Sequence, residues 1–376
     1  MNDANAGRAA DAGQIDQLVP VTVPMRLKFR GVRSRNAVLL HGSAGWGEFS
    51  PFDEYGTAYA SRWFAAAHEA ATRPFPEPVR DRIPVNTTVP AVDPATAHRL
   101  VADSGCTTAK VKVAESGQDL AQDVERVAAV RDALGPEGNI RVDANAAWDV
   151  ETAVLSITRL TAAAGTLEYA EQPCASLDEL REVRRRVKTP LAADESVRTA
   201  DDPLRIAGLD AADIIVVKAQ PLGGVHRALE VIEAAGLPAV VSSALETSVG
   251  LSAGIALAAA LPQLPHACGL ATSSLLAADV TDVPLSVDNG HIRVRRVEPD
   301  TALTIQLSPE PDQAMRMLER LGEAAAYLES DPQWQQSPRT QTTRDLEAEA
   351  DLRDEPQEMQ KGRQATRPPD GGAHGV

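Results

Sequence analysis

Residues 109–114 read AKVKVA, a short apolar stretch with two lysines one residue apart. Side chains alternate between the two faces of a β-strand, so Lys110 and Lys112 share one face while Val111 and Val113 share the other. Two ammonium groups on one face of a core strand repel each other and resist burial. The stretch therefore raises the question of what lies opposite the two lysines.

The chain around this stretch alternates apolar strands with helical patterns. The predicted strands are 83–89, 109–113, 140–143, 167–171, 191–194, 214–218, 239–243 and 267–270. Helical patterns between them include 119–134, 150–163, 177–186 and 224–235. Eight strands alternating with helices over roughly two hundred residues favour a TIM-type barrel. A doubly wound open sheet is the alternative, but no glycine-rich fingerprint follows the first strand.

The flanking segments predict a second, smaller domain. Residues 21–52 have the pattern of a three-stranded antiparallel element, Asn289-Gly290 is a hairpin turn sequence, and residues 313–328 form an amphipathic helical pattern. These flanks are expected to pack together. Residues 331–376 are rich in Gln, Arg, Asp, Glu, Pro and Gly, which is typical of a disordered tail.

Composition narrows the function classes. A formal net charge of −16 argues against nucleic-acid and anionic-membrane surfaces, although a locally positive site can still bind an anionic substrate. The three cysteines, Cys106, Cys174 and Cys268, show neither a metal-ligand spacing nor a disulfide framework. The N-terminus lacks a signal-peptide pattern, and no apolar run is long enough for a membrane span. We therefore expect a cytoplasmic protein with a small-molecule substrate.

Polar residues recur where successive predicted strands end. They are Lys110 and Lys112 on the second strand, Asp143 and Asn145 on the third, Glu171 on the fourth, Asp194 on the fifth and Lys218 on the sixth. In a closed barrel the C-terminal ends of the strands converge on one mouth, where such enzymes have their active sites. By alternation, Val216 lies on the same face as Lys218 inside the barrel, and Val217 faces the helices.

Three of these residues form a candidate metal site. Asp143, Glu171 and Asp194 provide oxygen ligands without histidine or cysteine, which favours a hard cation, Mg²⁺ first and Mn²⁺ as a substitute. Each acidic residue alone could be a helix N-cap or an ion-pair partner, but their recurrence at consecutive strand ends favours the functional interpretation. For Arg141 and Glu195 we favour a structural ion pair.

The motifs, taken in order, carry a family resemblance. K-x-K at 110–112, D-x-N at 143–145, E-Q-P at 171–173, D-E-S at 194–196 and the lysine at 218 resemble the muconate-lactonizing branch of the enolase superfamily. Within that branch, residues 21–286 resemble the o-succinylbenzoate synthases of the actinobacterial type. The resemblance implies a modified TIM barrel, (β/α)7β, with an α+β capping domain formed by both chain ends.

The implied domain limits follow from this architecture. Residues 1–82 form the N-terminal part of the capping domain, 83–285 the catalytic barrel, 286–330 the C-terminal part of the capping domain and 331–376 the disordered tail. The resemblance also implies roles for the polar strand ends. Asp143, Glu171 and Asp194 hold Mg²⁺, with Asn145 beside them, and Lys112 is the base. Lys110 supplies nearby positive charge that favours a neutral amine on Lys112.

The remaining implied roles concern the substrate. Lys218 stays protonated and stabilises an enediolate from the opposite side, partly by cation–π contact. Ser242, Ser243 and the backbone of Gly269 contact the succinyl end, although ordinary strand-end capping explains the two serines equally well. The implied reaction is Mg-dependent syn dehydration of 2-succinyl-6-hydroxy-2,4-cyclohexadiene-1-carboxylate to 2-succinylbenzoate in menaquinone biosynthesis.

Two other functions stay open from the sequence. An N-acylamino acid racemase, or another racemase or cycloisomerase of the branch, needs the same lysines, and a non-catalytic barrel could act as a binding scaffold. The acidic D-x-D that marks dipeptide epimerases at the eighth strand is replaced by Gly269-Leu270-Ala271, which counts against that activity. The oligomeric state is not indicated by the sequence.

Overall fold

The chain begins with a three-stranded antiparallel sheet, followed by a helix. The structure is a computed structural model and describes residues 14–29, 32–199, 206 and 208–330. The sheet consists of β1 (Ile15–Phe29), β2 (Val32–Gly42) and β3 (Gly45–Phe49), and α1 (Thr57–Thr72) packs against it. The three-stranded element predicted at 21–52 is therefore confirmed, with a first strand that starts earlier.

Seven parallel strands form the centre of the chain. After β4 (Arg82–Pro84), they are β5 (Thr87–Val89), β6 (Thr108–Lys112), β7 (Asn139–Asp143), β8 (Tyr169–Glu171), β9 (Leu191–Ala193), β10 (Ile214–Val217) and β11 (Ala239–Val241). The helices after them are α2 (Pro94–Ala102), α3 (Leu120–Leu134), α4 (Val150–Ala164), α5 (Leu177–Arg186), α6 (Glu195–Thr199), α7 (Val225–Ala235) and α8 (Ser248–Ala260). Each strand pairs with the next one in sequence, as in a barrel.

The barrel closes through residues 268 and 269. The N–H of Cys268 donates to the carbonyl of Pro84 (2.7 Å), and the N–H of Asn86 donates to the carbonyl of Cys268 (3.0 Å). On the other side, the N–H of Gly269 donates to the carbonyl of Val241 (2.8 Å). The eighth strand predicted at 267–270 is thus reduced to isolated bridges, yet it completes the predicted (β/α)7β barrel.

The first predicted strand, 83–89, is wrong as a single element. Its beginning, β4, pairs antiparallel with β12 (His291–Arg293), and only β5 joins the barrel. The change of sheet follows Pro84, which has no N–H to continue a ladder. Asn289 and Gly290, with φ of 48° and 72°, make the predicted turn before β12.

Both ends of the chain form the capping domain, as predicted. The C-terminal helices are α9 (Thr301–Gln306) and α10 (Pro311–Ser330). The N–H of Thr22 in β1 donates to the carbonyl of Leu307 (2.8 Å), and Gln313 donates to the side chain of Asn36 in β2 (2.9 Å). Leu321 of α10 is buried in the same hydrophobic cluster as Trp63 of α1. The chain therefore leaves the capping domain, forms the barrel and returns.

The described part of the chain ends at Ser330. The chain divides into two compact units after Ala326, and of the second unit the structure describes only residues 327–330, at the end of α10. The predicted disordered tail, 331–376, lies outside the described residues, and the domain limits stay a prediction. None of the described helices is long and apolar enough to cross a membrane.

The barrel strands bury two distinct faces, as the alternation predicts. Inside the barrel, Ile214 and Val216 of β10 pack with Tyr169 and Val240. On the opposite face, Val217 belongs to the larger core that the strands share with the helices. The three cysteines are buried and free.

We expect Gly47→Ala to destabilise the capping domain. A Cβ on Gly47 would stand 2.0 Å from the backbone oxygen of Ala67 in α1, and this backbone cannot rotate away. The free energy of unfolding, measured by urea denaturation, should fall by about 2 kcal/mol or more. Gly322→Ala in α10 is the matched control, because its Cβ would meet no atom within 4 Å. A change in the control as large as that in Gly47→Ala would contradict the prediction.

Candidate active site

Two lysines of β6 meet two carboxylates of the neighbouring strands at the mouth of the barrel. The Nζ of Lys110 lies 2.8 Å from Oε1 of Glu171 and 3.1 Å from Oδ2 of Asp143. The Nζ of Lys112 lies 2.5 Å from the same Oδ2 of Asp143. All four side chains are buried. The carboxylates are therefore what lies opposite the paired lysines of residues 109–114.

Strand register brings these side chains together. Lys112 of β6 is the pairing partner of Asp143 of β7, and Asp143 is in turn the partner of Glu171 of β8. Partners on adjacent parallel strands lie about 4.8 Å apart and point to the same face. The register of the three strands therefore brings the side chains at their ends into direct contact.

The electrostatics of this group are governed by burial and mutual charge. Burial disfavours the ammonium of Lys110, but the charges of Glu171 and Asp143 outweigh it and hold the pKa of Lys110 well above its ordinary value. Burial also opposes the charge of Asp143, whereas Lys112 and Lys110 hold its pKa below the usual range. Burial and the neighbouring charge of Asp143 raise the pKa of Glu171. Lys110 is therefore a permanent cation in this site.

A third lysine approaches from the other side of the barrel. The Nζ of Lys218, at the end of β10, lies 2.6 Å from Oδ1 and 2.5 Å from Oδ2 of Asp194, which follows β9. Three strands separate β6 from β10 in a ring of eight strand segments. Lys112 and Lys218 therefore face the cavity from opposite sides.

Asn145 connects the pair of Lys112 and Asp143 to Glu195, which follows Asp194 in sequence. Its side-chain oxygen accepts a hydrogen bond from Lys112 (2.7 Å), and its backbone N–H donates to Asp143 (3.1 Å). Its side-chain amide donates to Oε1 of Glu195 (3.3 Å). Glu195, which the sequence assigned to a structural ion pair, thus reaches a residue of the site.

Another wall of the cavity is made by the end of β11 and by the eighth strand segment at residues 268 and 269. Ser242, Ser243 and Gly269 line the cavity together with the lysines. The hydroxyl oxygens of Ser243 and Thr272 are 2.6 Å apart. A Cβ on Gly269 would stand 2.6 Å from Oγ of Ser242, so only the backbone of residue 269 fits there. The three residues that the sequence assigned to substrate contact are therefore brought to the cavity.

Phe52 is a cavity residue that the sequence analysis missed. It follows β3 in the capping domain and lines the cavity beside residues of the barrel. Its guanidinium neighbour, Arg35, has its central carbon 3.9 Å from the ring centroid. No local pattern marks Phe52, because its role arises only when the capping domain meets the barrel.

Arg141 forms the structural ion pair that the sequence favoured. Its Nε lies 2.6 Å from Oε2 of Glu168, and Oε1 of Glu168 lies 2.6 Å from Nδ1 of His266. Burial would raise the pKa of Glu168, but hydrogen bonds from His266 and Arg141 lower it to about 2. Arg141 lies two residues before Asp143 on β7, so its side chain is on the same face of the strand, one layer deeper in the barrel.

The carboxylates have the chemistry of a cation site. Within the described residues, no three His, Cys, Asp or Glu side chains are arranged to hold a metal ion. Instead, Glu171, Asp143 and Asp194 each contact a lysine ammonium. The donor set nevertheless consists only of carboxylate oxygens, which suit a hard cation. Oε2 of Glu171 is also buried without a hydrogen-bond partner among the described residues.

Comparisons with known proteins agree with this architecture. Residues 20–71 match the family model "Enolase N-terminal domain-like", and residues 94–303 match "Enolase C-terminal domain-like". The o-succinylbenzoate synthase of Thermobifida fusca (strain YX) is 62% identical over 276 residues, which cover 73% of this chain and 86% of that protein. The o-succinylbenzoate synthase of Mycobacterium ulcerans (strain Agy99) is 49% identical, covering 82% and 93%.

A solved structure shares the fold at lower identity. The dipeptide epimerase of Enterococcus faecalis V583, complexed with Mg and the dipeptide L-Leu-L-Tyr, has a TM-score of 0.64 and 21% identity. The match covers 75% of this chain and 97% of that structure. At this identity the likeness supports the fold and not the substrate.

We expect Glu168→Gln to destabilise the protein in a pH-dependent way. The ordinary pKa of 4.5 falls to about 2 on folding, so the stabilisation is complete above pH 4.5 and is lost as the pH falls towards 2. In urea denaturation, the variant should lose roughly 2 kcal/mol at pH 7, and the difference should shrink by about 1 kcal/mol by pH 3.5. Exposed Glu137→Gln is the control. A pH-independent difference would contradict the prediction.

Proposed function

The chain belongs to the o-succinylbenzoate synthases of the enolase superfamily, and from this membership we propose its reaction. It dehydrates 2-succinyl-6-hydroxy-2,4-cyclohexadiene-1-carboxylate to 2-succinylbenzoate, through an enediolate, as a step of menaquinone biosynthesis. The enzyme is a carbon–oxygen lyase that depends on a divalent metal. The observation that carries the assignment is the 62% identity to the Thermobifida fusca o-succinylbenzoate synthase, over 86% of that protein.

The metal is assigned to three carboxylates. Asp143, Glu171 and Asp194 hold Mg²⁺, with Mn²⁺ as a substitute. Their all-oxygen donor set and the free lone pairs of buried Glu171 Oε2 support this assignment. When bound, the ion would supply positive charge that offsets the negative charge developing on the substrate carboxylate as the adjacent carbon loses its proton.

Lys112 is the base of the reaction. Lys112 lines the cavity, and Lys110, whose pKa is held well above its ordinary value, places a second positive charge on the same face of β6. Lys112 takes the proton from the carbon that bears the carboxylate. It then returns this proton to the hydroxyl on the same face of the ring as the C–O bond breaks. Water leaves, the electron pair of the C–H bond remains in the ring, and the ring becomes aromatic.

Lys218 has an electrostatic role from the opposite side. In this proposal Lys218 stays protonated and offers positive charge to the enediolate; its Nζ lies 2.6 and 2.5 Å from the two oxygens of Asp194. At the far end of the cavity, Ser242, Ser243 and the backbone of Gly269 contact the succinyl chain. Asn145 supports Lys112 through its 2.7 Å hydrogen bond.

The proposed ligand is a small carboxylate rather than a nucleic acid or a membrane, and the proposed compartment is the cytoplasm. The domain limits are 1–82, 83–285, 286–330 and 331–376. N-acylamino acid racemase is the second candidate, because lysines on both sides of the cavity could exchange a proton with either face of a substrate.

Purified protein should convert the cyclohexadiene substrate to 2-succinylbenzoate in a spectroscopic assay. EDTA should abolish the activity, and added Mg²⁺ should restore it, because the carboxylate-bound ion offsets the charge of the enediolate. Mn²⁺ added after EDTA tests the substitute ion.

The same preparation separates the two candidate functions. N-succinyl amino acids incubated in deuterium oxide report racemase activity through exchange of the α-proton. Exchange and racemisation without appreciable dehydration would refute the proposed reaction.

Lys112→Ala should lower kcat by at least about a thousandfold, because the proton carrier is lost. Isothermal titration should still detect Mg²⁺ binding, since the three carboxylates remain. Exposed Lys188→Ala is the matched control and should retain full activity. Retention of activity by Lys112→Ala would contradict the role of Lys112 as the base.

A further inference from the structure

The loop after β11, residues 242–247, forms one wall of the cavity and has an unusual backbone. Ser242, Ser243, Ala244 and Leu245 line the cavity. Leu245 has φ of +66°, a left-handed conformation that costs energy for a residue with a side chain. The surroundings of the loop must therefore hold it in place.

Arg35 of β2 supports the loop from the capping domain. It is 4% exposed, and its Nε donates to the carbonyl of Leu245 (3.3 Å). Its Nη2 lies 3.4 Å from the carbonyl of Ala244. Within the loop, the carboxylate of Glu246 accepts from the N–H of Ala244 (2.7 Å). These contacts satisfy backbone groups that the left-handed turn leaves outside regular structure.

Glu48 of β3 fixes the other end of the loop. Its side chain is buried, and Oε2 accepts from the N–H of Thr247 (3.1 Å), its hydroxyl (2.5 Å) and the N–H of Gly250 (3.0 Å). Thr247 is the N-cap of α8, so Glu48 takes donors that a helix start leaves unpaired. Burial raises the pKa of Glu48 to about 7, although Thr247 and Ser50 lower it through hydrogen bonds.

Gly250 packs closely against the side chains of Glu48 and Gln220, and no side chain fits at this position. A Cβ at this position would stand 2.9 Å from Cδ of Glu48 and 2.7 Å from the side-chain amide of Gln220. A side chain would therefore displace the carboxylate from the first turn of α8. Glycine at position 250 lets a side chain of the capping domain reach the start of a barrel helix.

We propose that Glu48 is a positioning residue for substrate recognition, which acts through the backbone of the 242–247 loop without touching the substrate. By fixing Thr247 and the first turn of α8, it sets the path of the loop at Ala244 and Leu245, which line the cavity after Ser243. Under the proposed function this wall faces the succinyl end, whereas the lysines and carboxylates stand on other strands. The inference rests on the proposed function for the identity of the substrate, and on geometry alone for the ordering of the loop.

The test compares Glu48→Gln with Glu69→Gln. Glu69 is also a buried carboxylate of the capping domain that reaches the barrel, but it accepts from the N–H of His226 in α7 (3.1 Å), away from the loop. In Glu48→Gln we expect KM to rise about tenfold while kcat changes less than about threefold. We expect neither change in Glu69→Gln.

Binding of two probes locates the effect. Affinity for 2-succinylbenzoate should fall about tenfold in Glu48→Gln, while affinity for benzoate, which lacks the succinyl chain, should stay within about twofold. Equal losses for both probes, or no loss for either, would overturn the proposal.

Hydrogen exchange tests the loop independently of activity. Amides of residues 244–250 should exchange at least about tenfold faster in Glu48→Gln than in the wild-type protein, with no change in Glu69→Gln. Unchanged exchange would overturn the positioning role even if the enzyme is active. Faster exchange in a protein without dehydratase activity would instead refute the proposed function alone. Thr247→Val, which removes one partner of Glu48, replaces Glu48→Gln if that variant does not fold, with the same expectations.

Discussion

The structure depends on the neutralisation of buried lysines by buried carboxylates at the mouth of the barrel. Lys110 contacts both Asp143 and Glu171, Lys112 contacts Asp143, and Lys218 contacts Asp194. An unpaired charge in this position would cost several kcal/mol. Because the charges are paired, charged side chains instead of apolar ones can line the mouth of the barrel. It also makes those groups available to a ligand, because a charged substrate or ion can exchange partners with them.

The charged groups of the site and one wall of its cavity lie on different parts of the molecule. The lysines and carboxylates stand at strand ends of the barrel, where register fixes their positions to within the spacing of adjacent strands. The cavity wall around Ser242 belongs to a loop held by Arg35 and Glu48 of the capping domain.

Much of the barrel and of the site could be predicted because both follow from local patterns. Alternation placed Lys110 and Lys112 on one face, and recurrence of acidic groups at strand ends indicated a common mouth. The prediction of one strand over 83–89 was wrong, because the end of β4 pairs with β12, more than two hundred residues later in sequence. The eighth strand was overestimated, because two bridges suffice to close the ring.

The sequence by itself determined the periodic order of strands and helices and the polar residues at the strand ends. These features depend on the alternation of side chains and on spacing within each strand-helix unit, which are properties of the local chain. Only the tertiary structure decided which residues of the capping domain reach the cavity or the loop that lines it. Phe52, Arg35 and Glu48 lie on or just after the strands of the antiparallel sheet, and each meets partners more than one hundred and fifty residues away. The docking of the two domains fixes such contacts, and no local pattern contains that information.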